Sequence, residues 1–266
     1  MNAFTIDLED WYQGVDIPFE HWGQYEQRIR IGFDKLMALL EKKKIKATFF
    51  VLGKVIEDHP DIIKEIIQEG HEVGCHTYSH PMLYKLNEQM FQTELNLCSD
   101  LIANFGISFT GFRAPYFTVD HRNIWVLKTL KDFGFEYDSS IFPGDSKRTG
   151  IKNYPKTPHL TDCGLPEFPV STGKLANFDF GMGGAYFRIL PYAIFRKKFD
   201  ALSKIQPVNF YIHPWELDQH HPKIQLSSRI SIPHYWNLNS TLKKLDMLTT
   251  DFEFGPINKI LHATSN

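Results

Sequence analysis

The chain is short of cysteine, of net charge and of long apolar runs, and each shortage narrows what it can be. Cys75, Cys98 and Cys163 are its only cysteines. Three widely spaced thiols make neither a disulfide framework nor a Cys-x-x-Cys metal knuckle, and they fit a reducing compartment. A formal charge of -2 gives no long-range attraction for nucleic acid or anionic lipid. The one compact basic run, Lys42 to Lys46, reads as a solvated helix end. No apolar stretch approaches the roughly 20 residues that span a bilayer. The opening MNAFTIDLEDWYQ has no basic region and turns acidic at Asp7, so it does not read as a secretory signal. A cytoplasmic protein without a transmembrane segment is therefore expected.

The composition, 42% hydrophobic and 23% charged, is that of a chain able to bury a large core. From Phe33 onward, helical periodicity alternates with short β-rich runs. FDKLMALLEKKK reads as a helix, KATFFVLG as a strand, HPDIIKEIIQEG as a helix and HEVGCHTYS as a strand. NEQMFQTELNLCSDLIANFG is a helix capped by Asn87; FTGFRAPYF is a strand, DHRNIWVLKTLKDFG a helix and FEYDSSIF a strand. This alternation predicts an α/β protein with a mainly parallel central sheet. Pro143 to Gly184 breaks the rhythm and reads as inserted loops and short hairpin strands. A helix near Pro191 to Lys204, a last strand VNFYIHPWEL, and a helical then extended NSTLKKLDMLTTDFEF complete the chain. A single domain over 1–266 explains this pattern better than two, with 218–266 as an extension packed on a barrel.

In parallel α/β folds reactive groups gather at the carboxyl ends of strands. Here those ends carry Asp7, Glu9 and Asp10; His76 and His80; Arg113 and Tyr116; Asp138; and His213. Each has a bland reading alone: DLED as a helix cap or solvated turn, a lone histidine as a surface group. His76-Thr-Tyr-Ser-His80 says more, because the spacing can aim both imidazoles at one ion. Pro81 disfavours helical backbone at His80, which places the pair on a strand-to-loop turn. Two neutral imidazoles and one carboxylate leave positions open for water, as a hydrolytic metal centre requires. Strand alternation puts Asp7 and Glu9 on one face, favouring Glu9 as the third ligand, with Asp10 the alternative if the strand ends early. A second acid at that end can serve as base.

Assembled in order, TIDLED, HTYSH, RAPY, YDSS and YIHP resemble the motifs of the polysaccharide deacetylase family, carbohydrate esterase family 4 with its NodB-homology domain, over roughly Phe4 to Leu217. The resemblance implies a distorted (β/α)7-type barrel with inserted loops. It implies a divalent metal, commonly zinc, held by His76, His80 and a first-motif carboxylate, Glu9 or Asp10, with Asp7 as the base and Arg113 orienting it. Further roles it implies are Tyr116 as oxyanion donor through its backbone N–H, His213 as the acid, and Asp138 tuning that acid. The substrate would be an N-acetylated carbohydrate, in a polysaccharide or a biosynthetic precursor. The first motif departs from the family's adjacent aspartates. That form, with GGAYFR and HPWE, resembles a branch of allantoinase-like, peptidoglycan deacetylase-like and polysaccharide-cluster members, many of them homo-oligomers. The branch leaves open a hydrolase of small-molecule amides; a barrel that binds glycans without turnover is the non-enzymatic alternative. Of the aromatic residues, Trp11, Tyr12, Tyr116 and Trp215 are the expected substrate contacts. Gly183, Gly184 and Arg188 are expected to shape a loop over the site, or the glycines only a tight turn.

Overall fold

The protein was analysed as a computed structural model that describes residues 1–15, 17–144, 149–175 and 178–264. Its sheet is made of β1 (Asn2–Leu8), β2 (Thr48–Val51), β3 (Glu72–Cys75), β4 (Gly111–Phe112), β5 (Tyr137–Asp138), β6 (His159–Leu160), β7 (Pro166–Glu167), β10 (Asn209–Ile212) and β11 (Phe254–Gly255). β8 (Thr172–Leu175) and β9 (Phe178–Gly181) form a separate antiparallel hairpin. The order is β10-β1-β2-β3-β4-β5-β7-β6, with β11 beside the start of β1. Every pairing from β10 to β7 is parallel, and β6 alone runs antiparallel. All seven residues of β1 are buried, as a strand covered on both faces must be.

Helices make the crossovers: α1 (Ile29–Lys43), α2 (Gly53–Asp58), α3 (Pro60–Gln68), α4 (Glu88–Ala103) and α5 (Trp125–Phe133). Each is set by local chemistry that the sequence displays. α1 buries Ile29, Phe33, Leu36, Met37 and Leu40 along one stripe and ends in Lys42 and Lys43, which suit its dipole. α3 begins with proline, whose missing N–H costs nothing in a first turn. The Asn87 side chain accepts the N–H of Met90 to cap α4, and Gly134, at φ 99°, ends α5 in the left-handed region. α6 (Gly184–Ile189), α7 (Tyr192–Ser203), α8 (Ser228–Tyr235), α9 (Thr241–Asp251) and α10 (Ile257–Thr264) complete the fold. No helix among the described residues is long and apolar enough to cross a membrane. The three cysteines are free thiols.

The sheet curls into a half-barrel rather than a closed cylinder. Across the gap between β7 and β10 the strands are joined by Asn209, whose Nδ2 donates to Ser139 Oγ at 3.0 Å and to the Phe168 carbonyl at 3.3 Å, and by one parallel bridge from Gly183 to Tyr211. Beyond β10, α1 lies against the short turn Pro214–Leu217, and the contact is backbone to backbone. A Cβ on Gly32 would stand 1.8 Å from the Pro214 carbonyl oxygen. Gly32→Ala would gain about 1 kcal/mol of helix propensity, but overpacking costs about 1–3 kcal/mol. With a clash this deep, a net loss in urea-midpoint stability is expected. A variant as stable as the parent would mean that α1 can slide off this turn.

Candidate metal and hydrolytic site

Strands β1, β3, β4 and β10 deliver their carboxyl ends to one place. β1 finishes at Leu8, where the Glu9 N–H turns back to the Asp7 carbonyl at 3.1 Å, so Glu9 leaves the strand still facing the barrel. Glu9, His76 and His80 are buried, and their ligating atoms all lie within 4.8 Å of one another.

His76 follows β3 directly. Its Nδ1 lies 2.7 Å from the Arg113 carbonyl, so that nitrogen carries the proton and Nε2 keeps its lone pair for an ion. Burial lowers its pKa to about 4, opposed by Asp7, so the ring is neutral near pH 7. The turn to His80 passes through left-handed backbone at Thr77 (φ 67°) and His80 (φ 57°). Each such residue costs about 1–2 kcal/mol. The carboxylate of Glu94 on α4 offsets this by accepting the N–H groups of Tyr78 and Ser79 at 2.8 and 2.9 Å and the Ser79 hydroxyl at 2.7 Å. Glu94 was not anticipated from sequence, being one acid on a polar helix face.

Glu9 Oε2 stands 3.0 Å from His80 Nε2, yet the two are not aligned as a hydrogen bond, and Oε2 has no other partner. Burial would raise the Glu9 carboxyl, but the charges of His80 and His213 outweigh it and bring it to about 2. An ionised, enclosed carboxylate and two imidazoles sharing one space are donors that fit a divalent cation.

Asp10 takes no part. Its Oδ2 accepts the N–H groups of Arg28 and Ile29 at 2.6 and 3.0 Å and its Oδ1 that of Trp11 at 2.7 Å, so it caps α1 from a distant stretch of chain. The carboxylate that stands with His76 and His80 is thus Glu9 rather than Asp10. Burial raises its carboxyl to about 6 against those three donors.

Opposite the triad, Arg113 is wholly buried and uses all five N–H groups: on Asp7 Oδ1 at 2.7 Å, Thr5 Oγ1 at 2.8 Å, Asn209 Oδ1 at 3.1 Å, and the Ser139 hydroxyl and carbonyl at 3.0 and 3.3 Å. Asp7 Oδ2 is thereby turned towards His213, whose Nε2 lies 3.8 Å from it and 3.6 Å from Glu9 Oε1. Burial lowers the His213 pKa, but Glu9 and Glu216 raise it further, to about 9. Tyr116, in a left-handed conformation (φ 53°), lays its ring 4.6 Å from that of His80.

Other expectations need correction. Trp11 and Tyr12 are 1% and 3% exposed and pack against Tyr25, with Trp11 Nε1 donating to the Glu26 carbonyl. They are core, since adjacency to a motif in sequence does not fix which way a ring points. Trp215, 7% exposed, stacks on His213 and donates from Nε1 to Glu9 Oε1 at 3.1 Å, so it steadies the site instead of offering an open face to a sugar. Arg188 forms no loop over the site; it is fully buried.

Asp138 does not reach His213. Its Oδ1 accepts the Ser140 hydroxyl at 2.5 Å, and it stands in register beside Glu167 on β7. Burial raises both carboxyls, Glu167 well above its usual range with the charge of Asp138 adding to the effect. Two buried acids in contact hold a proton between them. The folded state then binds more protons than the unfolded, so stability should fall as pH rises above the ordinary glutamate value of about 4.3. Glu167→Gln puts a permanent N–H where that proton sits. Urea midpoints across the pH range should decline less steeply for the variant, and parallel curves would refute the shared proton.

Comparison with known proteins relates two parts of the chain to families. Residues 29–137 match the polysaccharide deacetylase family and residues 139–262 a domain of unknown function (DUF3473). A Bacillus cereus protein named peptidoglycan-N-acetylglucosamine deacetylase is 39% identical over 83 residues, 31% of this chain and 30% of its own length. The chitooligosaccharide deacetylase of Rhizobium leguminosarum bv. trifolii is 30% identical over 98 residues, 34% of this chain and 46% of its own. The matches thus span less than half of each relative. A crystal structure of a Mycobacterium smegmatis protein, provisionally described as a polysaccharide deacetylase, superposes over 98% of this chain and 90% of its own with a TM-score of 0.63 at 19% identity, a likeness of fold.

Proposed function

From the match of residues 29–137 to the polysaccharide deacetylase family, we propose that this chain is an amide hydrolase that removes acetyl groups from N-acetylated sugars, in a polysaccharide or its biosynthetic precursor. The observation that carries the reading is a buried Glu9–His76–His80 donor set, its ligating atoms within 4.8 Å of one another, met by a cationic His213 whose Nε2 lies 3.6 Å from Glu9 and 3.8 Å from the arginine-held Asp7. The deacetylase names of the relatives supply the substrate class.

Glu9, His76 and His80 would hold the divalent ion, most consistent with zinc, since two imidazole nitrogens and a carboxylate are a catalytic zinc set. When bound, such an ion polarises an acyl oxygen and acidifies water. Asp7 accepts the proton of the attacking water at Oδ2, the oxygen that Arg113 leaves uncommitted. His213, charged near neutrality, gives its Nε2 proton to the nitrogen as the C–N bond breaks, and acetate and a free amine result. Tyr116 sits beside His80 as the nearest aromatic wall and is the residue we assign, through its backbone N–H, to the developing oxyanion.

The test is acetate release from N-acetylglucosamine oligomers by zinc-loaded protein, run beside small linear and cyclic amides. Release from the sugars is expected. A folded, metal-bound protein that cleaves only the small amides, or binds sugar without cleaving it, would displace this reading.

A further inference from the structure

The turn after β10 contains a buried carboxylate to which the proposed chemistry assigns nothing. Glu216 Oε1 lies 2.7 Å from His213 Nδ1 and accepts the His213 backbone N–H at 3.1 Å. Its Oε2 accepts Arg188 Nε at 2.5 Å. Arg188 directs its terminal nitrogens to the carbonyls of Pro233 and Trp236, both at 2.5 Å, and of His234 at 3.3 Å. Trp215 lies flat on His213, with planes 22° apart and ring centroids at 5.3 Å. The imidazole is thus fixed on one nitrogen and one face, and its Nε2 is directed at Asp7 and Glu9.

A turn-capping role alone would need only the backbone contact, since a capping box is complete when the carboxylate takes that N–H. The shorter contact to Nδ1 is additional. A proton donor acting through Nε2 must keep its other proton on Nδ1 throughout, and an acceptor there fixes tautomer and orientation and stabilises the charged ring. Asp138, which the sequence motifs suggested for this task, is committed to Ser140 and Glu167.

We propose that Glu216 is the positioning residue of His213, and that Arg188 braces it from behind, so that α6 and the end of α8 are tied to the proton donor. This rests on the reading of His213 as the acid of an amide hydrolase. In the step concerned, the C–N electron pair stays with the departing nitrogen, the Nε2 proton moves to it, and the Nδ1 proton remains shared with Glu216.

The test compares Glu216→Gln with the parent on two substrates. Amide cleavage needs a proton on the leaving nitrogen, whereas 4-nitrophenyl acetate expels a stable phenolate without one. For N-acetylglucosamine oligomers, kcat should fall about 100-fold with KM within about threefold, and the aryl ester should lose less than about threefold. Equal losses on both substrates, or undiminished amide turnover, would overturn the proposal. Should the variant fold poorly because Arg188 is left unpaired, Arg188→Met with Glu216→Leu replaces the buried pair by apolar groups, which is often neutral for stability, and the same split is expected. A readout free of turnover separates this idea from the deacetylase reading. Long-range nitrogen-proton NMR should show a low-field His213 Nδ1–H signal in the parent that is lost in Glu216→Gln. Its presence unchanged in the variant, or absence from the parent, refutes the proposal whatever the substrate proves to be.

Discussion

His80→Ala is expected to empty the site of zinc and cut acetate release by at least about 10³-fold, with far-ultraviolet circular dichroism unchanged. Lewis-acid stabilisation of the transition state is worth several kcal/mol, and about 4 kcal/mol is three powers of ten in rate. The backbone at His80 is already held in its turn by Glu94, and the ring adds the nitrogen that faces Glu9 Oε2. Removing the ring therefore removes a ligand while leaving the turn. Asp10→Asn is the contrasting variant: asparagine caps a helix about as well as aspartate, so zinc should stay at about one per chain by elemental analysis. Stoichiometric zinc in His80→Ala, or its loss in Asp10→Asn, would move the metal away from Glu9, His76 and His80.

Arg113→Met should cost stability and turnover together. Its guanidinium satisfies acceptors from β1, β10 and the end of β5 at once, and deleting one partner of a buried ion pair costs about 3–5 kcal/mol. Much of that is the penalty of Asp7 left charged and enclosed, so Asp7→Asn combined with Arg113→Met should recover part of the loss in denaturant titrations without restoring acetate release. A single variant less than about 1 kcal/mol below the parent would mean that His213 alone suffices as the counter-charge of Asp7.

Most of the strand-helix alternation from Phe33 to Phe142 was legible because α1, α3, α4 and α5 carry apolar stripes and stop signals such as Gly134, whereas α2, only six residues long, passed unread. The triad was legible because metal chemistry needs few residue types at fixed spacing. The choice between Glu9 and Asp10 was not, since it depends on where β1 stops, and one residue of strand length reverses the answer. α6 was read as part of a loop region because six residues opened by Gly184 at φ 49° show no periodicity. Glu216 was within reach: an acid three residues after His213 is the spacing of a capping box. Trp11 and Tyr12 misled because a ring near a motif is most often core.

The pairing of β1 with β10 joins residues far apart in the chain, Thr5 with Tyr211 and Ile6 with Ile212. Chains are made from the amino end, and domains tend to fold in that order. The proposed cation ligands are all synthesised by His80 and the aspartate–arginine pair by Arg113, whereas the proposed proton donor arrives only with His213 and its brace with the carbonyls of Pro233 to Trp236. On the proposed assignment, the residues that would hold an ion are thus synthesised before the one that would protonate an amine, and the site is complete only once β10 docks beside β1.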